Sequence, residues 1–144
     1  LILSQLDKLA LFAKRRREIV EQYNAAFRTM PELFVQEEIA ESDTVRHLYI
    51  LRIVPERLSI DRKGFFEALG AENIACNVHY IPVYWHPYYE KLGYEKGLCP
   101  NAEKLYNEML SLPLYYSLTD SDVADVIAAV KKIVAYYAQP VQNV

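Results

Sequence analysis

The sequence predicts an α+β domain in which a small, mainly antiparallel sheet is covered by helices. Three observations carry that prediction. Apolar residues recur at three- and four-residue spacings at both ends of the chain, the pattern of amphipathic helices. Residues 47–55, HLYILRIVP, alternate with period two and are rich in β-branched and aromatic side chains, the pattern of a strand. The resulting order is helix, strand, helix, strand, loop, helix, extended segment, helix, which places helices on one face of the sheet. At 144 residues, with 52% apolar and 24% charged side chains, the chain is long enough for one domain with a substantial core.

Residues 1–28 read as one long helix. Ile2, Leu6, Leu9, Ala13, Val20, Tyr23 and Phe27 share its apolar stripe, and Pro31 stops it. The basic run Lys14, Arg15, Arg16, Arg17 interrupts the stripe and splays around the cylinder at about 100° per residue. It reads as a solvated helix turn, with a phosphate or nucleic-acid contact as the other reading. Residues 32–45 are acidic, lack a period and read as a loop. In the strand that follows, Leu48 and Ile50 face one way, Tyr49, Leu51 and Ile53 the other, and Pro55 ends it.

Ser59 or Asp61 caps a short helix containing Phe65, Phe66 and Leu69, with Gly70 as its C-terminal stop. A second strand is expected from Ile74 to Tyr80. Pro82, Pro87, Gly93 and Gly97 punctuate residues 81–99, which should hold turns and a short helix at 87–92. Asn101 should cap a helix from Ala102 to Met109, and Ser111 to Tyr115 should be extended around Pro113. The last helix is the best defined. Thr119 and Asp122 form a capping box, and Val123, Val126, Ile127, Val130, Ile133, Val134 and Tyr137 make a continuous stripe. Acidic residues gather at its start and Lys131 and Lys132 lie toward its end, as the helix dipole prefers.

Composition excludes several classes. A net charge of -3 makes no electrostatic case for a nucleic-acid or acidic-membrane partner. No apolar run approaches the roughly 20 residues of a membrane span, and no signal peptide is visible. The chain is therefore expected in the cytoplasm, with Cys76 and Cys99 as free thiols. Leu1 already belongs to a helical pattern, so an upstream segment is expected. The four glycines cannot build a nucleotide-binding loop. No nucleophile elbow is present, and His79 and His86, without a carboxylate cluster, make no metal site. His47 opens a strand and fits a hydrogen bond at a domain surface. The segment VHYIPVYWHPYYEKLGY, residues 78–94, is the most unusual stretch. Its tyrosines and tryptophan join an apolar face to a polar tip, which suits sugars, bases, interfaces and ordinary packing alike.

Several segments taken together resemble one family. HYIPVYWHPYYEKLGY, then PNAEKLY, then LSLPLYYSLTDSDVADVI resemble the C-terminal part of the DegT/StrS sugar aminotransferases. LSQLDKLALFAKRRREIVEQYN resembles the helix that leads from their large domain to their small one, and RHLYILRI resembles the first small-domain strand. The resemblance covers nearly the whole chain in the right order. It implies that residues 1–144 are a single C-terminal small domain of the type I pyridoxal-phosphate (PLP) transferase fold, with residues 1–28 as the connecting helix. It further implies a homodimeric enzyme moving an amino group from L-glutamate to a nucleotide-linked keto sugar. PLP supplies the electron sink, and the Schiff-base lysine belongs to the N-terminal domain, which is absent here. The fragment alone is accordingly expected to be inactive.

Asn77, Val78, His79 and Tyr80 match the family's substrate contact, and the resemblance implies that they wall the sugar site, with His79 suited to a pyrophosphate oxygen. His47, Tyr84 and His86 are candidate supporting residues. Two positions depart from the family pattern: many relatives have histidine at Tyr84 and proline at Tyr116. The VHYIPV form is most similar to the branch acting on UDP-linked 4-keto-6-deoxy N-acetyl hexosamines, the UDP-4-amino-4,6-dideoxy-N-acetyl-altrosamine transaminases. Two other readings stay open. One is a nucleotide-sugar dehydratase of the same family, in which histidine replaces the lysine. The other is a non-enzymatic α+β binding or dimerisation module.

Overall fold

The structure, a computed structural model, describes residue 3 and residues 6–140. Ile2, the first member of the expected stripe, lies outside the described residues. Helix α1 runs Leu9–Phe27 and buries Ile19, Val20, Tyr23 and Phe27. The inward stripe therefore belongs to its second half. Leu6 and Leu9, expected on the same stripe, are exposed, and Ala13 is half-buried.

A three-stranded antiparallel sheet follows, with strands β1 (Leu33–Val35), β2 (Tyr49–Ile53) and β3 (Met109–Leu112) in the order β1-β2-β3. β1 corrects the expectation of a loop over residues 32–45. Leu33 and Val35 pair with Ile53 and Leu51, too short a stretch to show a period. Tyr49, Leu51 and Ile53 face the core, as their alternation predicts, together with Leu110 and Leu112. Phe34, Ile50, Arg52, Met109 and Ser111 occupy the opposite face by the same register.

Helices α2 (Arg62–Ala71) and α5 (Asp120–Tyr137) join α1 over the core face. Asp61 caps α2 by accepting the Gly64 N–H at 2.8 Å, whereas Ser59 donates its hydroxyl to the Tyr137 carbonyl. The helix does not stop at Gly70. It continues to Ala71, and Asn73, at φ 61°, makes the left-handed reversal. A one-turn helix, α3 (Pro87–Glu90), lies in the aromatic segment as expected. Helix α4 (Pro100–Glu108) starts two residues before the expected Ala102, with Cys99 rather than Asn101 at the cap, because Pro100 fits the first helical position. Its buried Glu108 meets Arg52, so α4 touches the sheet on the face opposite the other helices.

The core is one cluster, with Tyr23, Phe27 and Tyr49 rings centred 4.8–6.5 Å apart. Burial pushes the Tyr23 and Tyr49 phenols above their ordinary value. Each keeps a partner: Tyr23 donates to the Pro113 carbonyl and Tyr49 to the Asn24 amide oxygen.

Candidate functional site

The segment expected as a second strand forms a single bridge instead. Asn77 and Ser111 exchange two backbone hydrogen bonds, of 3.0 and 2.7 Å, across the free edge of β3. Ile74, Cys76 and Val78 pack on the core at every second position, so the segment is extended and half-buried without a ladder. Burial pushes the Cys76 thiol up to about 11. This one bridge fixes the four residues of the expected substrate strip against the sheet.

The Asn77 side-chain oxygen accepts its neighbour's Val78 N–H at 2.9 Å, which leaves the amide nitrogen as a donor. His79 lies half-buried with Nδ1 2.8 Å from the buried Ser111 hydroxyl. That contact holds the ring and leaves Nε2 for a ligand. Tyr80 sets its ring edge-on to His79, 4.7 Å between centres, and is 75% exposed. The strip thus presents an amide, an imidazole nitrogen and a phenol from one sheet edge. Ser111, which orients His79, gives no signal in the sequence, because only the register shows that it leaves the core face.

The supporting candidates separate. Tyr84 is a brace: its hydroxyl donates to Glu103 of α4 and accepts the Cys99 N–H. Partial desolvation and the Glu103 carboxylate hold this phenol above its usual value, and the same hydrogen bond lowers Glu103. Glu103 also accepts the Gly97 N–H, so the pair staples residues 84–103 into one loop. Trp85 packs edge-on against Tyr106, with Lys96 over its other surface at 4.6 Å. His86 is exposed and precedes α3 without capping it.

His47 is exposed too, but its carbonyl has a role that the sequence does not reveal. Arg16 directs one guanidinium nitrogen at the Arg46, His47 and Leu114 carbonyls, at 3.2, 3.0 and 3.2 Å. Arg15 donates to the Leu118 carbonyl and pairs with Asp120 at 2.9 Å. The basic run is therefore not simply a solvated turn. Arg15 and Arg16 are half-buried and tie α1 to the β3–α5 connection, while Lys14 and Arg17 remain exposed.

A groove of about 450 Å³ opens beside Asn77 and Val78, bounded by Arg62 and Tyr106. A cleft of about 560 Å³ between residues 72–75, Pro113–Leu118 and α5 contains none of the expected site residues. Among the described residues no cluster of histidine, cysteine and carboxylate side chains could hold a metal. Nor do they fit PLP by themselves, since a Schiff-base lysine needs an enclosed cup and every lysine here is exposed. No described helix is long and apolar enough to cross a membrane.

The sequence model of the DegT/DnrJ/EryC1/StrS aminotransferase family matches residues 1–131, and the chain belongs to that family. It is 42% identical over 134 residues to SpsC of Bacillus subtilis, a spore coat polysaccharide biosynthesis protein, covering 92% of this chain and 34% of that one. Its fold is similar to Spr1654 of Streptococcus pneumoniae, described as a sugar aminotransferase and solved in its PLP form. The TM-score is 0.84 at 30% identity, over 93% of this chain and 34% of that one. It is likewise similar to PseC of Helicobacter pylori, an aminotransferase of pseudaminic acid biosynthesis, with TM-score 0.84, 26% identity, and coverage of 93% and 36%. The chain thus spans about a third of each of these proteins.

Proposed function

We propose that this chain is the C-terminal small domain of a cytoplasmic, homodimeric PLP-dependent aminotransferase. The parent enzyme moves an amino group from L-glutamate to a nucleotide-linked keto sugar in the synthesis of surface polysaccharide or glycan sugars. Membership of the family supports the reaction class. SpsC, a polysaccharide biosynthesis protein, supports the setting, and PseC, an aminotransferase of pseudaminic acid biosynthesis, supports a sugar as the acceptor.

The observation that carries the reading is the edge strip. A sugar is recognised by a few placed hydrogen-bonding groups on an apolar wall. Asn77, His79 and Tyr80 offer an amide, an imidazole and a phenol side by side, with His79 held by Ser111. In this division of labour the remaining two thirds of the enzyme supply the lysine and the phosphate cup of PLP. This chain binds and orients the sugar and excludes water from its side of the site.

The test is the visible absorbance of the full parent protein with PLP, before and after L-glutamate. Yellow absorbance that bleaches on adding glutamate is the expected result. A parent that binds PLP but does not respond to glutamate points to the dehydratase reading. A parent that binds no PLP overturns the family chemistry and favours a binding module.

A further inference from the structure

We propose that the groove beside Asn77 is a phosphate-reading subsite for the nucleoside diphosphate of the substrate, with Arg62 as its specificity-determining residue. The inference rests on the nucleotide-sugar reading above. The groove lies between the first turns of α2 and the Asn77–Val78 end of the edge strip, so a ligand whose sugar lies along His79 and Tyr80 has its phosphates within reach.

Arg62 is the unexplained group there. Its guanidinium carbon sits 4.9 Å from the centre of the Tyr106 ring, and its Nε has neither solvent contact nor a hydrogen-bond partner. Among the described residues it makes no ion pair. The acids closest in sequence are committed elsewhere: Asp61 caps Gly64, and Glu67 lies 3.8 Å from Lys63. A guanidinium that has lost water on one side and gained no carboxylate is half of an anion contact.

The surroundings complete the site. Stacking on Tyr106 holds the planar fork in one orientation, which reduces what must be ordered when phosphate oxygens bind two of its N–H groups. Lys63 and Glu67 also line the groove and offset each other at 3.8 Å, which leaves Arg62 as its unopposed charge, and the free Asn77 amide adds a donor. Phe66 and Tyr106 offer apolar surface for the nucleoside. The alternative is that Arg62 merely cements α2 to α4 through the ring, and the two roles differ in what they do to ligand selectivity.

The test measures UDP and uridine binding to the parent enzyme by calorimetry, for wild type and Arg62→Met. The wild type is expected to prefer UDP by about tenfold or more, as charge-assisted contacts to a diphosphate imply. Arg62→Met should lose most of that preference while retaining uridine binding and its melting temperature. If the Met variant fails to fold, Arg62→Lys keeps the stem and the charge but not the fork, and it should lower the UDP-to-uridine ratio several-fold. A ratio unchanged by a folded Arg62 variant overturns the subsite, as does a wild type that does not bind UDP. The glutamate bleaching of PLP needs no nucleotide and is read on the same samples. Bleaching with an unchanged ratio removes the subsite alone, whereas no bleaching with a ratio that falls in Arg62→Met removes the aminotransferase reading and leaves the subsite.

Discussion

Arg16 illustrates how much of this domain hangs on single polar side chains. Its guanidinium answers three carbonyls that lie where the chain enters β2 and leaves β3, and among the described residues no other donor reaches them. Arg16→Ala leaves these oxygens to water or to nothing, and we predict a loss of about 2 kcal/mol, read as a lower midpoint in urea. Arg16→Lys should recover only part of it, because an ammonium on a shorter, more flexible stem is not held among the three carbonyls as the guanidinium nitrogen is. Tyr84 makes a different case. Its hydroxyl braces Glu103. Tyr84→Phe should therefore speed amide exchange at Gly97 and Cys99, by freeing the loop, and leave the core helices unchanged. Arg16, Ser111 and Glu103 were not legible in the sequence as site-builders, because their partners are far away along the chain and follow no period.

Among the elements, α5 is the best written. Thr119 accepts the Asp122 N–H, and the Asp122 carboxylate accepts the Thr119 N–H and hydroxyl. Thr119→Ala should cost about 1 kcal/mol in a chemical melt. The same hydrogen bonds hold the Asp122 carboxyl below the usual carboxylate range. A depressed folded pKa contributes stability that is complete above the unfolded value, near pH 4, and is lost as pH falls through the folded one. Asp120 behaves alike through Gln22 and Arg15. Loss of the α5 start on acidification, followed by NMR of these two residues, checks the sign. The sequence showed α5 and β2 because both have long, regular burial patterns. β1 was hidden because three residues carry no period. Residues 74–80 read as a strand because Ile74, Cys76 and Val78 do alternate into the core, but burial alternation reports which side is inside, not whether a ladder forms.

At the scale of the whole molecule, the core is complete on one side and open on another. Leu6, just before α1, and Leu9 and Leu11 in its first turn are about half exposed, and Val45 lies across a shallow groove from Leu9. Such a face on a separate domain is sticky. The isolated chain is expected to self-associate, and sedimentation that returns a stable monomer at high concentration would count against a buried role for this face. The fold class was legible from the order of elements, whereas the proposed sugar site was legible only through resemblance, since three polar residues on one edge have no spacing that marks them as a site. In the proposed function this domain reads the sugar and leaves the amino-donor chemistry to the rest of the enzyme. The most direct test is to measure the two half-reactions separately in the parent enzyme carrying His79→Ala. A glutamate half-reaction close to wild type and about tenfold weaker saturation by the keto sugar are expected, as for one lost polar contact. Equal losses in both half-reactions, or no change in either, would contradict that reading.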